Sequence, residues 1–450
     1  MLFISPKASF LQMMITSLLF VSHLEAQKQE AEIFFKSSNE KFAKNDLKGA
    51  LEDINKCLAM NPDYKEAYFN RSNIHLAQKK YSAATADLDR AIELDPFYTK
   101  AIFNRAIALA ESGNEEKAKE DYLDVLRVDP SFYKAYINLG YILFKEKEYT
   151  EAIRNYNMAM VYKRDYVLAL LLRSEAYMEM EDFDQAAQDI NLALALEPDN
   201  GKAYYNMGLC KYLMANYKDG LRFLNKALEL KYITKEVYFY RGRTQDYLGK
   251  YQEALADFTN AIELDPKYKY AYNYRGNTYY NMRNYELALT EYNKALAIDK
   301  NYSRPYNNRA NIRLNKGDVN GALEDYTKAI QLEDDLDITY NNRGNLYLKN
   351  LQDPEKALSD YNAALAHNPD NLSVFANRAR TKEQMGDFRG AIADFNKAIK
   401  NDPKNASLYK DRANAYLGLE FFVDACKDFH SAKTFGDVNV DYLIREYCAE

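Results

Sequence analysis

Nine arginines return along the chain at almost constant spacing: Arg71, Arg105, Arg173, Arg241, Arg275, Arg309, Arg343, Arg378 and Arg412. Each step is 34 residues or twice that, except for 35 between Arg343 and Arg378. A row of guanidinium groups can grip phosphate or carboxylate groups through paired N–H donors. Sixteen residues after each arginine, or seventeen after Arg343, stands an acid: Asp87, Asp121, Asp189, Asp257, Glu291, Asp325, Asp360, Asp394 and Asp428. Where the arginine becomes Leu139 or Met207, the acid becomes Asn155 or Phe223, so base and acid are lost together. Only Asp53, opposite Ser37, departs from the rule. The row therefore reads as internal ion pairs rather than a phosphate site. Covalent chemistry has little else to stand on. His23, His75, His367 and His430 fall in unrelated places, none in a metal-ligand motif with a cysteine or acid. There is no glycine-rich phosphate loop and no nucleophile motif. The expectation is a protein that is not an enzyme, with no cofactor, no metal and no small-molecule substrate.

The arginine spacing is part of a larger period. In 235–268, KEVYFYRGRTQDYLGKYQEALADFTNAIELDPKY, one helical pattern carries Tyr238 and Gly242, and a second carries Ala254, Phe258 and Ala261 before Pro266. Small, aromatic and small residues at i, i+4 and i+7 share one helix face. Two helices this short cannot bury that face alone, so the unit needs neighbours of its own kind. In Ala254's place stand Ala50, Ala84, Ala118, Ala152, Ala186, Gly220, Ala288, Ala322, Ala357, Ala391 and Ala425. Pro62, Pro96, Pro130, Pro198, Pro369 and Pro403 keep the phase of Pro266. A 34-residue unit with an aromatic at 4, small at 8, Ala at 20, a bulky residue at 24, Ala at 27 and Pro at 32 resembles the tetratricopeptide repeat (TPR) family. The resemblance covers 31–439. It implies an all-α fold, an α-solenoid that forms a right-handed TPR superhelix of about twelve helix-turn-helix repeats, and a role in binding proteins or peptides.

Repeats one to nine run 31–64, 65–98, 99–132, 133–166, 167–200, 201–234, 235–268, 269–302 and 303–336; the last three are 337–371, 372–405 and 406–439. The first is degenerate and polar, with Ser37 and Ser38 in place of an apolar–glycine pair, which suits an end that meets solvent. The tenth has one extra residue near 351–354, in the turn between its helices, where helix register is not disturbed. Leu443, Ile444 and Tyr447 give 440–450 an apolar stripe, predicting a C-terminal capping helix. No linker interrupts the array, which is expected to be continuous from 27 to 439.

In TPR arrays, positions 2, 5, 6, 9, 12 and 13 of the first helix line the concave face, and the resemblance carries this to the present chain. Position 6 is Asn70, Asn104, Asn138, Asn206, Asn308, Asn342 and Asn377; positions 5 and 9 add Asn273, Asn277, Asn307, Asn311, Asn341 and Asn345. An amide offers two donors and one acceptor, matching an extended peptide backbone whatever its sequence. This is similar to the asparagine ladders of peptide-binding TPR superhelices; the alternative is that asparagine is merely common at this place. Repeats four to six present Ile137, Tyr141, Phe144, Leu168, Leu171, Leu172, Met178, Tyr205, Leu209 and Tyr212 on the same face. If half are exposed, they form an apolar groove for a partner's side chain or helix; the alternative is burial against adjacent repeats. The carboxylate clamp of chaperone-associated TPR domains is not reproduced in any three consecutive repeats, although Lys410 and Asn414 match its first step. The expected function is thus a scaffold binding a peptide or helix of a partner protein in the concave groove. The alternatives are a structural subunit of an envelope or secretion assembly bound through its convex face or ends, and a self-associating array.

Lys+Arg 60 against Asp+Glu 66 gives a net charge of −6 with interspersed signs, which disfavours nucleic acid as a partner. Tyr reaches 40 while Trp is absent, so the bulky repeat positions fall to Tyr and Phe. Residues 1–26 stand outside the repeat: Lys7, then an apolar run 10–21, then Ser22–Ala26. They read as a secretory signal peptide cut after Ala26, the alternatives being an uncleaved anchor or a hydrophobic start without meaning; nothing later approaches a transmembrane segment. Cys57 and Cys210 read as buried apolar residues. Cys426 and Cys448 come level if the last repeat and the closing helix run antiparallel; in an oxidising compartment they form either a disulfide or two separate thiols. The tyrosine-rich repeats, the signal and the cysteine tail resemble exported TPR proteins of Bacteroidetes-like bacteria, which implies the periplasm or cell surface.

Overall fold

The computed structural model describes residues 6–332 and 336–448, with side chains from Glu25 onward. Part of the expected leader, residues 333–335 of repeat nine and the last two residues of the cap lie outside the described residues. Among those described, every regular element is helical. Twelve consecutive helix pairs run from Pro6–Ala43 with Leu47–Met60 to Ala406–Leu417 with Phe422–Thr434, followed by a 3-10 turn, Val438–Val440, and a short helix, Asp441–Tyr447. The first helix, Pro6–Ala43, runs without a break through Ala26, the expected cleavage place. No helix among the described residues is long and apolar enough to cross a membrane. The chain forms two compact units: one runs to Asn216 and takes in Glu229–Lys231, and the other comprises Tyr217–Leu228 and Tyr232 onward.

The pairs form because each repeat carries its own start and stop signals. Asp46, Asp182, Asp318, Asp353 and Asp387 cap second helices, each side chain accepting a backbone N–H three residues on. Between the two helices of every repeat, one residue takes a left-handed backbone: Asn45, Lys79, Gly113, Lys147, Glu181, Ala215, Gly249, Arg283, Gly317, Gln352, Gly386 and Glu420. That turn reverses the chain in the manner of a helix C-terminus, and glycine fills it in only four repeats. In repeat ten the extra residue sits in this turn, between Leu336–Lys349 and Pro354–His367.

The small and bulky positions build the core. Ala254, Phe258 and Ala261 are fully buried, as are Ala288 and Ala295 around Tyr292, which itself is 1% exposed. Gly276 lies so close to this ring that a Cβ there would sit 2.6 Å from the Tyr292 Cε1 atom. At the C-terminus, Val440 and Leu443 pack with Ala413, Ala425, Phe429 and Ala432, so the short helix covers the apolar end of the last repeat. Cys426 and Cys448 are joined by a disulfide, their Cα atoms 5.5 Å apart. Cys57 and Cys210 are free and buried.

Candidate functional site

The arginine row is built into the repeats. Arg241 Nε and Nη2 donate to Asp257 Oδ2 and Oδ1 at 2.7 and 2.6 Å, and Nη1 donates to Asn225 Oδ1 at 2.9 Å. Seven of the other eight arginines make the same bridge to their own acids, and Arg275 donates from Nε and Nη2 to the one oxygen Glu291 Oε2. Each also reaches back sixteen residues to the preceding repeat's second helix: Asn55, Asp89, Asn157, Thr259, Asn293, Thr327, Asn362 and Asn396. That backward partner went unread in the sequence. Each guanidinium thus ties three helices together. Asp53, the exception, is held by Ser37 Oγ and Lys41 Nζ, both at 2.6 Å. Burial pushes the Asp257 carboxyl up despite Arg241. Asp394 is buried too, but Arg378 and Lys382 together hold its carboxyl below the usual carboxylate range.

The asparagines form a hydrogen-bonded ladder. Asn308 Nδ2 donates to Asn277 Oδ1 at 2.9 Å and to Asn273 Oδ1 at 3.3 Å. Asn342 donates to Asn307 at 3.1 Å and Asn377 to Asn341 at 3.0 Å. Asn70 and Asn104 donate likewise to Asn39 and Asn73 at 2.6 and 2.7 Å. The position-9 amides are anchored from below by the buried tyrosines of position 24. Tyr292 donates to Asn277 at 2.9 Å, Tyr326 to Asn311 at 2.5 Å and Tyr361 to Asn345 at 2.9 Å. Asn138 instead donates to the Tyr122 hydroxyl at 3.1 Å. Two of the expected peptide-binding amides are off the face: Asn206 is 0% and Asn273 1% exposed. Asn206 turns inward because Leu171 O, Ser174 Oγ and Glu175 Oε1 lie within 3.2–3.4 Å of its Nδ2.

The apolar groove expected in repeats four to six does not open. Ile137, Leu171, Leu172, Met178 and Tyr212 are buried, and Phe144, Tyr205 and Leu209 are half-buried. Only Tyr141 and Leu168, at 50% and 40%, are exposed. Ile137 and Leu172 are absorbed into one cluster with Ala152, Tyr156, Ala159, Ala169 and Ala176. Stacking adjacent repeats covers these side chains, the outcome that opposes a groove of that size.

Family models described as tetratricopeptide repeat match residues 35–99, 103–160, 168–200, 236–268, 270–336, 339–371 and 372–405. The chain belongs to the tetratricopeptide repeat family. Its helix pairs resemble solved TPR structures. A TPR protein from Parabacteroides merdae is 18% identical, with a TM-score of 0.48 over 58% of this chain and 99% of that one. Yeast Tom70 is 19% identical, with a TM-score of 0.46 over 93% of this chain and 99% of its own. A chain of the APC/C hetero-tetramer Cut9–Hcn1 is 15% identical, with a TM-score of 0.51 over 93% of this chain and 96% of that one. The likeness to the Cut9–Hcn1 chain shows the fold alone. No curated protein matches the chain. A TPR fold implies protein partners.

Aligning the TPR repeats with one another exposes a column that was passed over in the sequence. Position 12 is Phe42, Leu76, Ala110, Phe144, Met178, Tyr212, Tyr280, Leu314, Leu348 and Leu417 in ten repeats, but Asp246 in repeat seven and Glu383 in repeat eleven. Arginine occupies position 9 only in those two repeats, as Arg243 and Arg380. A cavity of about 280 Å³ lies over the first TPR helices of repeats seven to nine; Arg243, Asp246, Tyr274, Asn277, Asn308 and Asn311 are among its lining residues. Asp246 Oδ2 accepts from Asn281 Nδ2 at 3.1 Å, while Oδ1 is buried with no hydrogen-bond partner. Burial pushes this carboxyl up, and Thr278 and Asn281 pull it partly back. Arg243 stacks on the Tyr274 ring, 4.3 Å from its centroid. Burial also pushes Glu383 up, to about 7; Asp411 adds to the rise, and Arg380 opposes it.

Proposed function

We propose that the protein is a non-enzymatic scaffold whose inner TPR face holds an extended segment of a partner protein, with the amides of repeats eight to ten gripping its backbone. One observation carries this reading: the ladder is anchored yet incompletely used. Tyr292, Tyr326 and Tyr361 fix the oxygens of Asn277, Asn311 and Asn345. The Nδ2 atoms of those three, and the Oδ1 atoms of Asn308, Asn342 and Asn377, donate to or accept from no described residue. Amides whose orientation is already fixed lose little further entropy on gripping a guest. Exchanging Asn308, Asn342 and Asn345 together for Ala is expected to abolish capture of the partner protein, read by mass spectrometry against wild type. Unchanged capture by a folded triple variant would remove the groove.

A second mode has a specific observation behind it. Leu123, Met158, Val161 and Leu192, on the second helices of repeats three to five, are 37–65% exposed. The places of Met158 and Leu192 are Asn260, Lys294 and Lys328 in repeats seven to nine. An apolar outer face in this part of the array suits a structural assembly bound from outside. Met158→Lys with Leu192→Lys would abolish that association and leave groove capture intact.

The scaffold acts outside the cytoplasm under this reading, exported through a leader cut after Ala26. The apolar run at 10–21 and the bonded pair Cys426–Cys448 support it. Mass spectrometry of the native chain is expected to find a mature start at Gln27; an intact leader on a cytoplasmic protein would overturn it.

A further inference from the structure

We propose that the cavity around Asp246 receives a cationic side chain, lysine or arginine, from the guest segment. The inference rests on the groove reading, since it names what one residue of the guest must be. Position 12 is apolar in every TPR repeat but two, so an acid there breaks the chain's own local rule, and such breaks concentrate at functional sites. Elsewhere, the buried acids of position 23 each receive a cation: Lys41 at Asp53 and a paired arginine at the others. Asp246 receives none: among the described residues no lysine, arginine or histidine lies within ion-pair distance of it, and its Oδ1 stays without a hydrogen bond. An acid left in that state is costly unless a partner arrives.

The surroundings state the partner's chemistry. Tyr247 and Tyr280 line the same cavity, and aromatic faces attract a cation while tolerating its apolar stem, as the Tyr274 ring already does for Arg243. A volume of about 280 Å³ holds one long side chain. Asn277, Asn308 and Asn311 share the cavity with Asp246, so the amides that would grip the guest backbone stand beside the acid that would take its side chain. Glu383 is the useful contrast. It shares the column and the arginine three residues earlier, but it does not line this cavity.

The test uses the full chain with single-residue probes: N-acetyl-lysine methylamide, its arginine counterpart and its norleucine counterpart, followed by saturation-transfer NMR and calorimetry. The two cations are expected to bind and norleucine not. Asp246→Asn should weaken cation binding about tenfold or more, the scale of a hydrogen-bonded charge, and Glu383→Gln should leave it unchanged. Equal binding of norleucine, or undiminished cation binding by Asp246→Asn, overturns the proposal. Thermal unfolding gives a second readout. Removing an uncompensated carboxylate is expected to hold or raise the midpoint of Asp246→Asn, whereas a fall in midpoint would make Asp246 a structural partner and overturn the proposal independently. The norleucine probe carries the same two backbone amides as the cations, so the difference between the probes reads the side chain alone and is separable from failure of the groove, which the triple-alanine variant decides.

Discussion

Repeats four and five differ from repeats eight to ten at the same places in the same fold. All but the fifth carry a buried tyrosine at position 24. In repeats eight to ten its hydroxyl holds the position-9 amide. In repeat four, Tyr141 stands at position 9 and Leu172 at position 6 of the following repeat, and the fully buried Tyr156 hydroxyl has no partner. The arginine bridge fails at the same place: Leu139 replaces the arginine, Asn155 the acid and Leu123 the backward partner. Asn155 turns to its own helix instead, donating to Glu151 O at 2.9 Å. Polar partners thus enter and leave the array together, because a single survivor would be buried without its mate. One region closes on an apolar core; the other keeps a polar inner face.

The largest effect should come from breaking one member of a set. Arg241→Leu is expected to cost about 3–5 kcal/mol, by stranding Asp257. Adding Asp257→Asn and Asn225→Leu installs repeat four's own trio and should recover much of the loss; thermal unfolding with amide exchange across Lys235–Tyr247 checks both. If the triple variant is worse than the single one, the sets are not self-contained units.

Next comes the reverse transplant. Leu172→Asn brings an amide beside the Tyr156 hydroxyl, as Asn138 stands beside Tyr122. Losing a buried leucine should cost about 2–4 kcal/mol, but about 1 kcal/mol less with Tyr156 than with Tyr156→Phe. A double-mutant cycle measures that coupling; zero coupling would break the comparison.

Smaller still is the difference between two single hydroxyls. Tyr292→Phe should cost about 0.5–1.5 kcal/mol and Tyr156→Phe nothing or less, because only the first hydroxyl is bonded. Chemical denaturation of the two variants tells them apart.

The smallest effect is a pH response on the inner face of repeat eleven. The Glu383 carboxyl is raised to about 7 by burial and by Asp411, against Arg380. A raised acid stabilises the fold when protonated, so its contribution is complete below the ordinary carboxylate range and is lost as pH rises through about 7. Amide exchange in Leu372–Gln384, corrected for its intrinsic pH dependence, should quicken between about pH 4.5 and 7 in wild type, level off above, and stay flat in Glu383→Gln.

The fold was legible because the sequence contains its own alignment: Ala254, Phe258 and Ala261 recur in phase, and accidents at one repeat are exposed by the others. The acid partners of the arginines were legible for the same reason. Their amide partners lie sixteen residues in the opposite direction, across a repeat boundary, and a reading confined to one repeat missed them. The inner face was legible in part. Membership of a face follows from period, but exposure depends on the neighbouring repeat, so Leu171, Leu172, Asn206 and Asn273 were placed on the face and prove buried. Asp246 and Glu383 left a signal too, as the two acids in an otherwise apolar column.

The central claim concerns which surface the partner covers. Amide hydrogen exchange of the full chain with and without its captured partner reads this directly. New protection is predicted in the first helices of repeats eight to ten, Lys269–Asn281, Ser303–Asn315 and Leu336–Lys349. Protection confined to the second helices of repeats three to five, Glu115–Val128, Tyr149–Tyr162 and Phe183–Leu196, would contradict it.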